Sequence, residues 1–164
     1  MADFPTYPDL SGTAVFLTGG GSGIGAALTR GFLQQGAKVA FVQRSDASAF
    51  CDEMAAETGS RPLFIPCDIS DMTALKAAIA QAEAAHGPAG VLVNNAANDT
   101  RHDALDVSEA EWDRLIAINL KAYFFAIQAV VPGMRALGGG AVVNMTSISY
   151  MMGNAGYPVY TTSN

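Results

Sequence analysis

Cysteine, histidine and tryptophan are scarce in this chain of 164 residues, at two, two and one. Cys51 and Cys67 form no CxxC pair, and two histidines are too few to make a zinc site with them. They read as free buried thiols in a reducing cytoplasm. There is no basic run and the net charge is −6, which argues against nucleic acid or an anionic membrane as partner. Met1 to Leu10 lacks a basic segment followed by an apolar one, so no signal peptide is expected. Polar residues break the apolar stretches, and the expectation is that they stop well short of a membrane span. No internal repeat or low-complexity linker is visible. What the chain has in quantity is apolar side chains: half its residues are hydrophobic and 15% are charged. That is a globular composition, long enough for a single domain over residues 1–164.

The organising stretch runs from Thr13 to Leu28, where the apolar run Ala14-Val15-Phe16-Leu17 ends in a glycine cluster. Ile24, Leu28, Phe32 and Leu33 then recur at helical spacing. A buried strand therefore turns through residues with little side chain and enters a helix. Such a turn lets phosphates approach the main chain, and the helix points its free N–H groups at the same place. Gly21-x-Gly23-x-x-Ala26 fits a dinucleotide fingerprint, a weak signal alone. The strand before it, the helix after it and a second strand over Ala37–Val42 supply the context the fingerprint needs. No Lys-Ser/Thr follows the glycines, which disfavours a nucleoside-triphosphate loop.

Met1 to Gly12 reads as an extended lead-in, with Pro5 and Pro8 opposing helix. The first helix should run to about Gln35 and close at Gly36. A second follows over Ala47–Glu57, with Ser45 or Asp46 as cap. Pro62–Pro66 reads as a third strand, and Asp71 can cap a helix running to about His86. Gly90–Val93 reads as a fourth strand. Ser108-Glu109-Ala110-Glu111 reads as a capping box opening a long helix to about Leu137. Its apolar face is expected to include Trp112, Leu115, Ile116, Leu120, Phe124, Ile127 and Val131, with a bend or break at Pro132. Ala141–Met145 is the fifth strand. Apolar strands alternating with helices give an α/β architecture, a parallel sheet covered on both faces in a three-layer, doubly wound arrangement.

In such a sheet the ligand lies across the carboxyl ends of the strands. After the second strand, the place of an acidic residue that would bind the ribose hydroxyls of NAD holds Gln43, followed by Arg44. A guanidinium there would pair with a 2′-phosphate, so the expected cofactor is NADP in preference to NAD. After the third strand, Asp68 can accept from an adenine amino group while Ile69 packs on the ring. After the fourth, Asn94-Asn95-Ala96 can pin neighbouring strands and leave a passage for a cofactor. The polar loop Asn98-Asp99-Thr100-Arg101-His102-Asp103 sits where a substrate could reach. Thr146-Ser147-Ile148-Ser149 follows the fifth strand, and Tyr160 stands thirteen residues past Ser147.

Together these residues resemble the short-chain dehydrogenase/reductase family. The match covers the whole chain: Thr18-Gly19-x-x-x-Gly23-x-Gly25, Asp68, Asn94-Asn95-Ala96, Asn119, Ser147 and Tyr160, in order and spacing. The resemblance implies a Rossmann fold and hydride transfer between a nicotinamide cofactor and a small alcohol or carbonyl compound. It implies Tyr160 as general acid/base, Ser147 bonded to the reacting oxygen, and Asn119 anchoring a water and keeping the long helix locally distorted. A free phenol ionises at a pH of roughly 10, so such a base needs its phenolate stabilised. The cofactor would be held by Thr18, Gly19, Gly21, Ser22, Gly23, Ile24, Gly25, Gln43, Arg44, Asp68, Ile69, Asn95, Ala96 and Ala97. No metal is expected. The lead-in Tyr7-Pro8-Asp9-Leu10, the loop from Asn98 to His102 and Ser147-Ile148-Ser149-Tyr150 look most like D-xylose or D-galactose dehydrogenases. A polar loop suits a polyhydroxylated substrate, with Asn98, Arg101 and Ser149 as its contacts. A 3-oxoacyl-carrier reductase and a non-catalytic nucleotide-binding fragment are the alternatives.

Two residues depart from the family pattern. Ala97 stands where the amide motif usually ends in glycine, and Asn164 stands where a lysine usually follows the tyrosine by four residues. Asn164 cannot stabilise phenolate by its charge. Relatives continue for about a further third of their length and are homo-oligomeric, often tetrameric. The expectation is therefore a C-terminally truncated chain with little turnover of its own, its fifth strand an uncovered sheet edge.

Overall fold

The computed structural model describes residues 5–153 and 155–164; the lead-in residues Met1 to Phe4 lie outside it. Five parallel strands form one sheet: β1 (Ala14–Thr18), β2 (Lys38–Gln43), β3 (Leu63–Pro66), β4 (Val91–Asn94) and β5 (Ala141–Asn144). Their order is β3-β2-β1-β4-β5. The chain winds outward from β1 in one direction, then returns to β1's other side with β4, so the topology reverses between β1 and β4. That is the Rossmann, doubly wound arrangement, and the reversal opens a crevice at the carboxyl ends of those two strands.

The core follows from strand periodicity. Phe16, Ala40, Val42 and Leu92 face one layer, with Leu75, Ile79, Ala126 and Val130 of the helices that cover it. Val15, Leu17, Val39, Phe41 and Val93 face the other, against Leu33, Cys51 and Met54. Side chains alternate along each strand, so a sheet covered on both faces needs nearly continuous apolar strands. Each large side chain buried this way contributes about 1.5–3 kcal/mol. β1 is buried at all five positions, whereas β5, at the sheet edge, is exposed at all four.

Helices α1 (Gly23–Gln34), α2 (Ser48–Thr58) and α3 (Met72–His86) connect the strands. Gly36 follows α1 at φ +78°, the left-handed stop. Asp71 caps α3 by accepting from the N–H groups of Thr73 and Ala74 at 2.8 and 3.0 Å. Asp46 accepts from Ser48 N–H ahead of α2 at 3.2 Å. Cys51 and Cys67 are buried and unpaired.

The longest helical stretch is built in three parts: α4 (Glu109–Ile116), a π-helical turn over Ala117–Lys121, and α5 (Ala122–Ala136). Several expectations need correction here. Ser108 accepts from Glu111 N–H at 3.2 Å, but the reciprocal half of the box is absent. The Glu111 carboxylate turns instead to Arg114 at 2.6 and 2.9 Å. The apolar face is not the wide one expected: Trp112, Leu120 and Phe124 are exposed, while Leu115, Ala122, Tyr123, Ala126, Val130 and Met134 are buried. The extra residue of the π turn rotates everything after it, which a fixed helical period cannot follow. Pro132 lies inside α5 without ending it, because the bond it removes falls in the last turns. Glu109–Ala136 is also long and apolar enough, by length and composition, to cross a membrane, so the argument from short apolar stretches does not hold for it. Finally, Pro8–Leu10 forms a 3-10 turn where an extended segment was expected, with Pro8 at the first position, where its missing N–H costs nothing.

After β5 come two short helices, α6 (Ser149–Met152) and α7 (Pro158–Ser163). The second carries Tyr160.

Candidate functional site

A cavity of about 590 Å³ lies across the carboxyl ends of the strands. Gly19, Ser22, Ile24 and Gly25 wall it at the β1–α1 turn, Gln43 and Arg44 after β2, and Asp68 and Ile69 after β3. Asn95, Ala96, Ala97 and Asn98 wall it after β4, and Tyr160 closes it from α7. The cavity therefore collects most of the residues named from sequence. Thr18, Gly21, Gly23, Asn119, Arg101, Ser147 and Ser149 do not line it. Val42, Ser45, Cys67, Ile118 and Met145 line it too, though the sequence assigned none of them to the site. Ser45, Cys67 and Met145 are chain neighbours of strand-end residues, so the strand-end rule applied one residue further would have found them. Ile118 is placed by the π turn and had no such signal.

The glycine turn is fixed from behind by side chains of β1 and β4. Thr18 Oγ accepts two N–H groups, from Asn95 at 2.9 Å and Ala96 at 3.0 Å. Asn95 Nδ2 donates to the carbonyls of Thr18 and Gly19 at 3.0 and 3.1 Å. Asn94 Nδ2 donates to Asn144 Oδ1 at 2.8 Å, tying β4 to β5. The adjacent amides pin the neighbouring strands, Asn94 toward β5 and Asn95 toward β1. Gly25 packs so close that a Cβ there would lie 1.7 Å from the Gly19 carbonyl oxygen. Gly23 has φ +53° and open space where a side chain would stand. Ser22 makes no side-chain cap to α1, unlike Asp71 of α3. The start of α1 therefore has no side-chain cap where Ser22, Ile24 and Gly25 border the cavity, as an anion at a helix N-terminus requires.

Gln43 Oε1 accepts from Gly21 N–H at 2.8 Å, and its Nε2 donates to the Ser45 carbonyl at 3.0 Å. Gln43 is thus a brace for the turn, and Gly21 N–H is already taken. Arg44 extends into solvent with its Nη1 3.9 Å from Asp68 Oδ2. Asp68 Oδ1 accepts from Ser70 N–H at 2.9 Å and Ser70 Oγ–H at 2.7 Å. These bonds, with a smaller contribution from Arg44, hold the Asp68 carboxyl below its usual range. Burial pushes the Cys67 thiol up to about 11, so at neutral pH it is a protonated, unreactive thiol.

On the other side, Asn119 sits buried in the π turn. Its Oδ1 accepts from Asn98 N–H at 2.7 Å, and its Nδ2 donates to the Asn98 carbonyl at 2.9 Å. The local helical distortion that the resemblance implies is present, and it aims this amide at the loop after β4. Tyr160 packs edge-on against Tyr157 with ring centroids 5.6 Å apart. Burial first, then the neighbouring Tyr160, pushes the Tyr123 phenol up to about 12. Ser147 Oγ accepts from Ser149 N–H at 3.2 Å. Ser149 Oγ is buried with no hydrogen-bond partner among the described residues. Arg101 places its guanidinium 5.3 Å from the centroid of the Tyr157 ring. Asn164 Nδ2 donates to the Tyr160 carbonyl at 2.6 Å, a bond within α7's last turn and not one to the phenol. Among the described residues no cluster of His, Cys, Asp or Glu could hold a metal ion.

Comparison with known proteins accords with this geometry. A galactose dehydrogenase of Rhizobium meliloti, named as probable, is 45% identical over 159 residues, 96% of this chain and 62% of that protein. A D-xylose 1-dehydrogenase of Caulobacter vibrioides is 45% identical over 158 residues, with the same coverage. The crystal structure of L-sorbose reductase from Gluconobacter frateurii, complexed with NADPH and L-sorbose, superposes with a TM-score of 0.89 at 28% identity. That match covers 93% of this chain and 59% of the other. The chain thus spans about three-fifths of the length of the relatives it matches. The family described as short chain dehydrogenase matches residues 13–164, and this chain belongs to it.

Proposed function

We propose that this chain is the dinucleotide-binding part of an NADP-preferring oxidoreductase that acts on a sugar or polyol. The observation that carries the reading is the single cavity wall joining the Gly19–Gly25 turn, the strand-end residues Asp68 and Asn95, and Tyr160. The uncapped start of α1 and the close approach at Gly25 fit a pyrophosphate. When bound there, the nicotinamide supplies the hydride donor or acceptor. Tyr160 holds the proton that passes to or from the substrate oxygen, and Ser147 orients that oxygen. Asn98, which lines the cavity, is the first substrate contact of this reading, with Arg101 and Ser149 as the others. NADP is favoured by Arg44, which follows β2 largely exposed with only a 3.9 Å approach to Asp68, where Gln43 offers no carboxylate to ribose hydroxyls. The sugar preference is supported by the polar loop after β4 and by the names of the two dehydrogenases at 45% identity. The reducing cytoplasm is the compartment that suits two buried, unpaired thiols.

Asn164 favours a second reading, a nucleotide-binding module without turnover. Its amide serves the helix backbone and supplies no cation beside the phenol. The experiment that separates the two uses NADPH and NADH fluorescence titrations together with oxidation of D-xylose and D-galactose. The first reading expects tighter NADPH binding, and turnover that Tyr160→Phe lowers by about a hundredfold or more with binding unchanged. Binding without turnover supports the module, and no binding of either dinucleotide removes both.

A further inference from the structure

The loop after β4 meets the start of α7 at Arg101 and His102. His102 N–H donates to the Gly156 carbonyl at 3.0 Å. Its imidazole Nδ1 lies 2.9 Å from the Thr100 carbonyl oxygen, and its Nε2 lies 3.3 Å from Val159 N. A carbonyl only accepts and an amide N–H only donates, so these partners require a proton on Nδ1 and a bare Nε2. Val159 is the second residue of α7, where an N–H has no partner within its own helix, and Tyr157 supplies no side-chain cap. Val159 is buried, and Tyr160 is the next residue. The imidazole therefore takes the place of the missing cap at the start of the helix that carries the phenol. The same loop is held at its other end by Asn119, so the π turn, the loop and α7 form one connected unit.

We propose that His102 is a positioning residue: its neutral imidazole holds the first turn of α7, and with it Tyr160, against the loop, and protonation undoes the hold. Protonated Nε2 is a donor facing a donor, and the bond to Val159 is lost. Arg101 and Asp103 flank His102 on the loop, and from α4 it feels Glu111, whose carboxylate is already paired with Arg114. The residues of α7 itself carry no charged side chain. Nothing else described at this end of α7 replaces the lost acceptor. Only the activity readout of this inference rests on the oxidoreductase reading above.

The test is nitrogen-15 NMR of the imidazole, combined with amide-exchange protection factors. At neutral pH the His102 ring should show the Nδ1–H tautomer. His102→Ala should lower protection at Val159 and Tyr160 by about tenfold, with Val15 to Leu17 unchanged. His102→Gln, which keeps an acceptor near the position of Nε2, should restore protection and remove its loss on acidification. Where turnover is measured, His102→Ala should lower kcat with the dinucleotide affinity intact, and His102→Gln should recover it. An Nε2–H tautomer at neutral pH, or unchanged protection in His102→Ala, overturns the assignment. Absence of turnover in every variant, with the tautomer and protection pattern as expected, counts against the oxidoreductase reading and leaves the hold on α7 standing.

Discussion

The two sides of the cavity are made by different means. The side formed by β1, β2 and β3 is made by backbone and core: β1 is buried throughout, Gly25 touches a carbonyl, and Thr18 and Asn95 lock the turn. The side formed by β4, β5 and α7 is made by polar side chains that reach between elements. Asn119 holds Asn98, His102 holds Val159, and β5 is exposed along its length. The first side has a shape set by what cannot fit. The second has a shape set by a few hydrogen bonds, each worth about 0.5–1.5 kcal/mol. For the function proposed above, that division would let one side hold a dinucleotide while the other admits a substrate.

The comparison breaks most sharply at the glycines. Gly25→Ala places a Cβ against the Gly19 carbonyl and should cost about 3 kcal/mol or more in urea unfolding, with loss of dinucleotide binding. Gly23→Ala meets nothing and costs only its left-handed backbone, about 1–2 kcal/mol. Equal costs would mean the close approach is not what shapes that side. Next in size is Asn119→Ala, which removes both bonds to Asn98 and should destabilise by about 2 kcal/mol. Its effect should appear as faster amide exchange in Asn98–His102, while the Gly19–Gly25 turn keeps its protection. Arg44→Ala should then lower the preference for NADPH over NADH by about tenfold, read by paired fluorescence titrations, and leave stability unchanged.

The smallest effect concerns Asp68. Its folded carboxyl is held below the ordinary value of about 3.9 by the two bonds from Ser70. A group depressed on folding stabilises the protein above its unfolded pKa, and the contribution fades as pH falls through the folded one. Asp68→Asn should therefore be slightly less stable than the parent at neutral pH, with the gap closing in acid. Because the carboxylate is about half exposed, screening keeps that gap small. Thermal melts of both chains across pH would show it; a gap that widens in acid would contradict the sign.

The difference between the two sides also explains what the sequence reveals. Strand, glycine cluster and helix are local in the chain, so β1, the turn and α1 can be read from spacing, as can the Asp71 cap of α3. Asn119 is an ordinary polar residue on a helix until the family pattern marks it, because its partner is 21 residues away and the π turn has no local signature. The same turn shifts the helical phase from Ala117 onward, which is why Leu120 and Phe124, placed inside by a fixed period, lie exposed; Trp112 precedes the turn, and its exposure has a different origin. His102 is visible only as one member of a polar loop; its partner Val159 lies 57 residues on. The capping box was half right for a related reason: Glu111 had a second suitor in Arg114, and the ion pair won.

Chemical-shift mapping of the nitrogen-15-labelled chain during NADPH titration tests the central claim most directly. A dinucleotide laid across the strand ends should move the amides of Gly19–Gly25, Asp68–Ile69 and Asn95–Asn98 together with Tyr160, on one saturation curve. Shifts that leave the glycine turn untouched, or that gather on the outer faces of α3 and α5, would contradict it.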